Sequence, residues 1–130
     1  MPLVLSTAEK LEDDATKLPI ATIAGLLQEA LGQRMTAYLA GLNDVKQIGR
    51  YRKPGGPTPT TQVELRLREG YKVVQMIRDC YDAETAKAWL FGTNSRLDDH
   101  APIGLLRNGK TPEDFVPVVR TARQFASADV

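Results

Sequence analysis

Residues 61–81, TQVELRLREGYKVVQMIRDCY, decide the fold. Val63, Leu65, Leu67, Tyr71, Val74, Met76, Ile77 and Cys80 run through this stretch as one long amphipathic segment, and spacings of three and four are those of a helix with one apolar face. Thr60 or Thr61 supplies a hydroxyl suited to cap its start. The reading is a central helix. Upstream, Lys53-Pro54-Gly55-Gly56-Pro57-Thr58-Pro59 cannot continue a helix, because three prolines lack the amide donor and two glycines carry a large entropic cost. Downstream, Asp82 is placed to cap a further helix, Ala83 to Phe91, which Gly92 ends.

The same punctuation continues outward in both directions. Pro19 sits where a first helical turn accepts it, and Ile20, Ile23, Leu26, Leu27, Ala30 and Leu31 recur at helical spacing until Gly32. A short helix fits Gln33 to Ala40 with Met35 and Leu39 inward, and Gly41-Leu42-Asn43 breaks it. Another fits about Asp44 to Arg52, with Asn43 as its expected cap. On the far side, Thr93 to His100 is irregular, Pro102 to Arg107 is a short helix stopped by Asn108-Gly109, and Thr111 caps a last helix beginning at Pro112. Its Phe115, Val118, Val119, Ala122 and Phe125 share one side. Residues 1–18 are polar and acidic without a sustained period and are expected to be a mobile arm or a marginal helix, to which no function is assigned. The chain is therefore all-α, without internal repeats or low-complexity tracts.

With 130 residues, 42% hydrophobic and 25% charged, the chain suits one core, or two small helical subdomains that share one. No apolar run approaches the roughly 20 residues of a bilayer span, and Met-Pro-Leu-Val-Leu-Ser is too short for a signal-peptide core. The expectation is a cytoplasmic protein that meets no membrane. The single cysteine, Cys80, cannot close an internal disulfide; its position in an apolar stripe predicts an inert, buried thiol in a reducing compartment. Net charge is only +1, but eight basic residues between Lys46 and Arg78 face two acids, Glu64 and Glu69, a local charge of +6.

Two short helices joined by a glycine-containing turn have the outline of a helix-turn-helix, whose second helix enters the major groove. Residues 33–52 fit it. If Val45, Ile48 and Tyr51 pack inward, then Asn43, Lys46, Gln47 and Arg50 lie outward, and Arg52 and Lys53 extend the positive surface. Arg reads guanine bidentately, Gln or Asn reads adenine, and Lys and Arg neutralise phosphates. The same pattern also describes an ordinary solvated helix face. One such unit touches few bases, so useful affinity implies a homodimer or a larger assembly.

Catalytic chemistry finds little support. His100 beside Asp98 and Asp99 is the only histidine, in a polar turn without the three or four well-fixed ligands a divalent metal wants. Gly55-Gly56 lacks the Lys-Ser/Thr partner of a phosphate loop. No catalytic residue, metal or cofactor is expected, and an enzyme using His100 is the least favoured reading.

The most distinctive stretch is Ala88-Trp89-Leu90-Phe91-Gly92-Thr93-Asn94-Ser95-Arg96-Leu97 followed by Pro102-Ile103-Gly104-Leu105-Leu106-Arg107-Asn108-Gly109. It resembles the toxin-binding domain of the Xre/MbcA/ParS antitoxin family: a Trp on a short helix, an Asn-x-x-Leu turn, then Pro, a dileucine-like pair and a glycine-ended helix. With the upstream helix-turn-helix and linking helix the likeness covers about residues 20–126. The loop from Lys53 to Pro59 departs from the pattern in being richer in proline and glycine.

Beyond an arm at 1–18, the resemblance implies an Xre-like helix-turn-helix region (19–60), a linking and candidate dimerising helix (61–81) and a toxin-binding domain (82–130). It implies an antitoxin that neutralises a cognate toxin by direct contact and represses its own operon at operator DNA. Toxins of this family are commonly RES-domain proteins that consume NAD, a chemistry belonging to the toxin. Trp89, Phe91, Asn94, Arg96, Leu97, Pro102, Leu106, Arg120, Arg123 and Phe125 are the implied toxin-binding residues. Trp89, Leu97 and Leu106 are also groups any helical domain buries, and Asn94 and Pro102 also suit turn-shaping roles. The alternative is a stand-alone helix-turn-helix regulator whose second half only dimerises.

Overall fold

The computed structural model describes residues 7–127, and its elements follow in order as α1 (Thr7–Lys17), α2 (Ile20–Leu31), α3 (Gln33–Ala40), α4 (Val45–Tyr51), α5 (Thr61–Cys80), α6 (Ala83–Phe91), a 3-10 turn (Ser95–Leu97), α7 (Pro102–Asn108) and α8 (Pro112–Ala126). The chain is all-helical: among the described residues no strand forms, and only an isolated bridge joins Asn94 to His100.

Thr60 begins α5, its hydroxyl accepting from the Val63 amide at 3.2 Å. The helix is the axis of the fold and packs against α1, α2, α3, α6, α7 and α8. Leu67, Val73 and Ile77 are wholly enclosed, with Val63, Tyr71 and Val74 nearly so; burying each large aliphatic group contributes about 1.5–3 kcal/mol. The glycine in its middle has a reason. A Cβ at Gly70 would lie 2.7 Å and 2.9 Å from the two methyls of Leu39, which is itself fully buried on α3. Only a bare α-carbon lets α3 cross this closely.

Helix α3 ends where its glycine demands. Gly41 has φ +82, its amide donates to Tyr38 O at 3.0 Å, and the Leu42 amide donates to Ala37 O at 2.9 Å. These are the two bonds of a Schellman ending. The next helix starts one residue later than the sequence suggests. Asp44, extended at φ −97, is the cap and accepts from the Lys46 amide at 2.9 Å. The expected cap, Asn43, instead offers its side-chain oxygen to Arg107 at 3.2 Å.

Three other expectations are resolved. Of the two readings of residues 1–18, a mobile arm or a marginal helix, the structure takes the helical one from Thr7: α1 lays Leu11 and Ala15 on α5. Its overall polarity hides this, because only Ala8, Leu11 and Ala15 are apolar among its eleven residues and α5 supplies the rest of the attachment. Arg68 donates one guanidinium nitrogen to both Ala15 O (3.0 Å) and Leu18 O (2.8 Å), closing the carbonyl end of α1. Lys72 pairs with Glu12 at 3.0 Å and Glu69 at 3.1 Å. Burial pulls the Lys72 ammonium down, but these two carboxylates outweigh it and hold its pKa above the ordinary lysine value. Residues 1–6 lie outside the described residues. Cys80 is exposed, not buried, because it is the last residue of α5 and lies beyond Ile77, the last residue of that helix that the core encloses. Pro19 precedes α2 as its cap residue rather than sitting in its first turn.

Gly70→Ala should lower stability by roughly 1–3 kcal/mol through overpacking against Leu39, although the same change in an open helix adds about 1 kcal/mol; urea unfolding reads the sign directly. Leu11→Ala should cost about 2 kcal/mol, the low end for a buried leucine, and a midpoint unchanged from wild type would return residues 7–17 to the status of an arm.

Candidate nucleic-acid and partner interfaces

Helices α3 and α4 and the turn between them form a helix-turn-helix outline whose second helix is held from behind. Ile48 is fully buried and Tyr51 nearly so, while Val45 is half-buried, as the sequence spacing predicts. The buried Gln28 on α2 adds what no periodicity announces: its amide nitrogen donates to Ile48 O at 3.0 Å and to Ala24 O at 3.1 Å. A buried amide placed between two carbonyls ties α2 to α4 at a fixed separation.

On the outer side Lys46 and Arg50 are exposed and Gln47 is half-buried. Gln47 bridges its neighbours, donating to the Tyr51 hydroxyl at 3.1 Å and accepting from Arg50 Nη1 at 2.8 Å. The Arg50 guanidinium is thus tied to its own helix by Gln47. Arg52 is exposed and lies 3.9 Å from Glu29, a surface pair worth at most about 1 kcal/mol. Lys53 is exposed on the loop. That loop folds back on the end of α4: a Cβ at Gly56 would lie 2.7 Å from Arg50 O, so the glycine is needed for the close return. Of the six residues expected to face DNA, Lys46, Arg50, Arg52 and Lys53 are exposed cations around α4, Gln47 is partly engaged with Tyr51, and Asn43 is engaged with Arg107.

The local charge of +6 does not become one continuous basic surface. Arg66 is turned inward onto Ala40 O (3.2 Å) and Gly109 O (2.9 Å), Arg68 onto α1 and Glu64, and Lys72 onto Glu12 and Glu69. What remains outward near the turn belongs to α4 and the loop after it.

The second half assembles a separate feature. Asn94 organises the irregular stretch: its side chain accepts from the Arg96 amide at 3.0 Å, its carbonyl accepts from the Leu97 and Asp99 amides at 2.9 Å each, and its own amide donates to His100 O. Asp98 and Asp99 adopt left-handed conformations to complete the turn. This fold-back brings Trp89, Asn94, Arg96 and Phe125 to one cleft of about 220 Å³, with Thr121 and Gln124 on its α8 wall. Arg96 Nη1 donates to Gln124 Oε1 at 2.9 Å across it. The Phe125 ring lies 6.2 Å from Trp89 and 5.3 Å from Tyr81, whose side chain is 37% exposed.

The remaining expected partner-binding residues divide. Phe91 is 61% exposed at the end of α6. Arg120 and Arg123 are exposed on α8 but line a different groove, towards α1, with Glu12, Glu69 and Val116. Leu97, Pro102 and Leu106 are buried and serve the core. Sequence reasoning missed Gln124 at the cleft, Tyr81 beside Phe125, and Gln28 behind α4; each owes its position to contacts between distant elements.

His100 is exposed, and among the described residues no three His, Cys, Asp or Glu side chains come together to hold a metal ion. No helix among the described residues is long and apolar enough to cross a membrane. No family model, curated protein or solved structure matches the chain.

Asn94→Ala removes the acceptor that starts the 3-10 turn and should lower stability by about 1 kcal/mol. Heteronuclear spectra should show the largest shifts at Arg96 and His100 and at the Trp89 indole; changes spread evenly through α2–α4 would contradict a local role.

Proposed function

We propose that this chain is the antitoxin of a type II toxin–antitoxin pair, holding a cognate toxin with its second half and repressing its own operon with α3, the turn and α4. The observation that carries the reading is the cleft. Trp89, Asn94, Arg96 and Phe125, residues of the antitoxin-like motif and of the last helix, converge there with an aromatic floor and a cationic rim. Aromatic and arginine side chains in a partly enclosed site are what a partner-binding centre is made of. The family resemblance of the same stretch supports a toxin as the partner, of the RES-domain, NAD-consuming kind. The antitoxin itself contributes contact rather than chemistry and acts in the cytoplasm.

The operator-binding side rests on a helix-turn-helix whose α4 presents Lys46 and Arg50, the latter bonded to Gln47, to solvent. Seven residues at 1.5 Å rise make α4 only about 10 Å long, so its base contacts are few, and a dimer or a toxin-bridged assembly supplies the second half-site.

Co-expression with the adjacent reading frame tests the first claim: the wild-type chain should relieve growth arrest and co-purify with that product. Arg96→Glu with Phe125→Ala should weaken the complex by about tenfold or more, and a neighbour that neither arrests growth nor binds would refute the assignment. Lys46→Ala with Arg50→Ala should spare toxin binding and the fold while abolishing operator retardation. For residual binding, the slope of log affinity on log salt should fall by about two.

A further inference from the structure

Two arginines outside the helix-turn-helix hold its joint, and they do so from opposite parts of the chain. Arg66 comes from α5 and takes Ala40 O; a Cβ on Gly41 would collide with its guanidinium, so the left-handed glycine also makes room for it. Arg107 comes from α7. Its Nη1 donates to Tyr38 O at 2.7 Å, its Nη2 donates to Asn43 Oδ1 at 3.2 Å, and its guanidinium carbon lies 4.4 Å from the centre of the Tyr38 ring. One planar group thus grips the last turn of α3 and the residue just before the α4 cap. Asn43 is covalently joined to Asp44, whose carboxylate holds the Lys46 amide. The chain of contact from α7 to the first turn of α4 has no gap.

The other end of that chain is equally firm. Helix α7 is seated in the core by Pro102, Ile103 and Leu106 and packs on both α6 and α8, the two helices that wall the aromatic cleft. We infer that Arg107 is a positioning residue, through which the second half of the chain sets the pose of α4. A guanidinium suits this role because its rigid fork satisfies a main-chain carbonyl and a side-chain amide while stacking on a ring, which an ammonium cannot do. Because such coupling is reciprocal, a partner that shifts α7 alters duplex affinity, and duplex alters affinity for that partner by the same factor.

The inference rests on the proposed duplex-binding role only for its affinity readout, so the test on the full-length chain has two arms. In the first, amide hydrogen exchange is followed in wild type, Arg107→Ala, Arg107→Lys, Asn43→Ala and the Arg107→Ala/Asn43→Ala double variant. Loss of a charge-assisted bond should speed exchange of α4 amides by about tenfold in Arg107→Ala, with little rescue by lysine. Asn43→Ala should speed it in the same region, and the double variant should be slower than the product of the two single effects, since they share one link. Val118 to Ala122 in α8 should keep wild-type protection. Unchanged exchange in α4, or a rise spread evenly over the chain, would overturn the inference.

In the second arm, affinity is measured for a duplex taken from upstream of the chain's own reading frame, over a salt series. Arg107→Ala should weaken binding several-fold without changing the salt slope, because a positioning residue neutralises no phosphate. A slope reduced by about one would make Arg107 a direct phosphate contact instead and overturn its positioning role. If the wild-type chain binds no duplex, the operator-binding proposal fails, and the exchange arm decides the inference alone.

Discussion

The crossing of α3 over α5 is the contact from which the α3–α4 pair takes its position. Leu39 occupies the volume that any side chain at residue 70 would fill, so the two helices lie closer than an alanine would permit. At the end of α3 Gly41 adopts a conformation L-residues resist and leaves open the space used by Arg66. The turn, the Asp44 cap and α4 follow within four residues. Two glycines far apart in sequence therefore act together: one sets how closely α3 approaches the axis, the other how sharply the chain leaves it.

Four of the basic side chains in this molecule serve to join helices. Arg66, Arg68, Lys72 and Arg107 each connect elements distant in sequence, three of them through main-chain carbonyls at helix ends. The carbonyl terminus of a helix carries partial negative charge and orphan acceptors, so a guanidinium there satisfies both at once. Among the described residues no buried side-chain polar atom lacks a partner. A helical protein of short elements depends on such ties, because helices of seven or eight residues bury too little apolar area to fix their own orientation.

The cleft in the second half arises by a similar economy. Asn94 gathers four hydrogen bonds within a few residues and turns the chain back under α6, and α8 then closes the far wall with Phe125 and Gln124. The proposed partner surface and the proposed duplex surface lie on different elements, yet both border α7. Its short length and its place between the two make it the natural element for any communication between them.

Helix type and most boundaries were legible in the sequence, because each stop is a local event. Gly32, Gly41 and Gly92 end helices, Thr60 and Asp82 cap them, and the apolar rows of α2, α5 and α8 face inward as their spacing requires. The outward cations of α4 were legible for the same reason, and so was the turn-forming role of Asn94. Only the tertiary structure could decide which charges remain free, since Arg66 and Arg107 reach partners up to 69 residues away and no period records that reach. It alone could dock α1, whose hold depends on Arg68 and Lys72 of another helix, and expose Cys80, whose apolar stripe outruns the core that covers it. Local backbone chemistry is written residue by residue, whereas the availability of a side chain depends on what the rest of the chain brings against it.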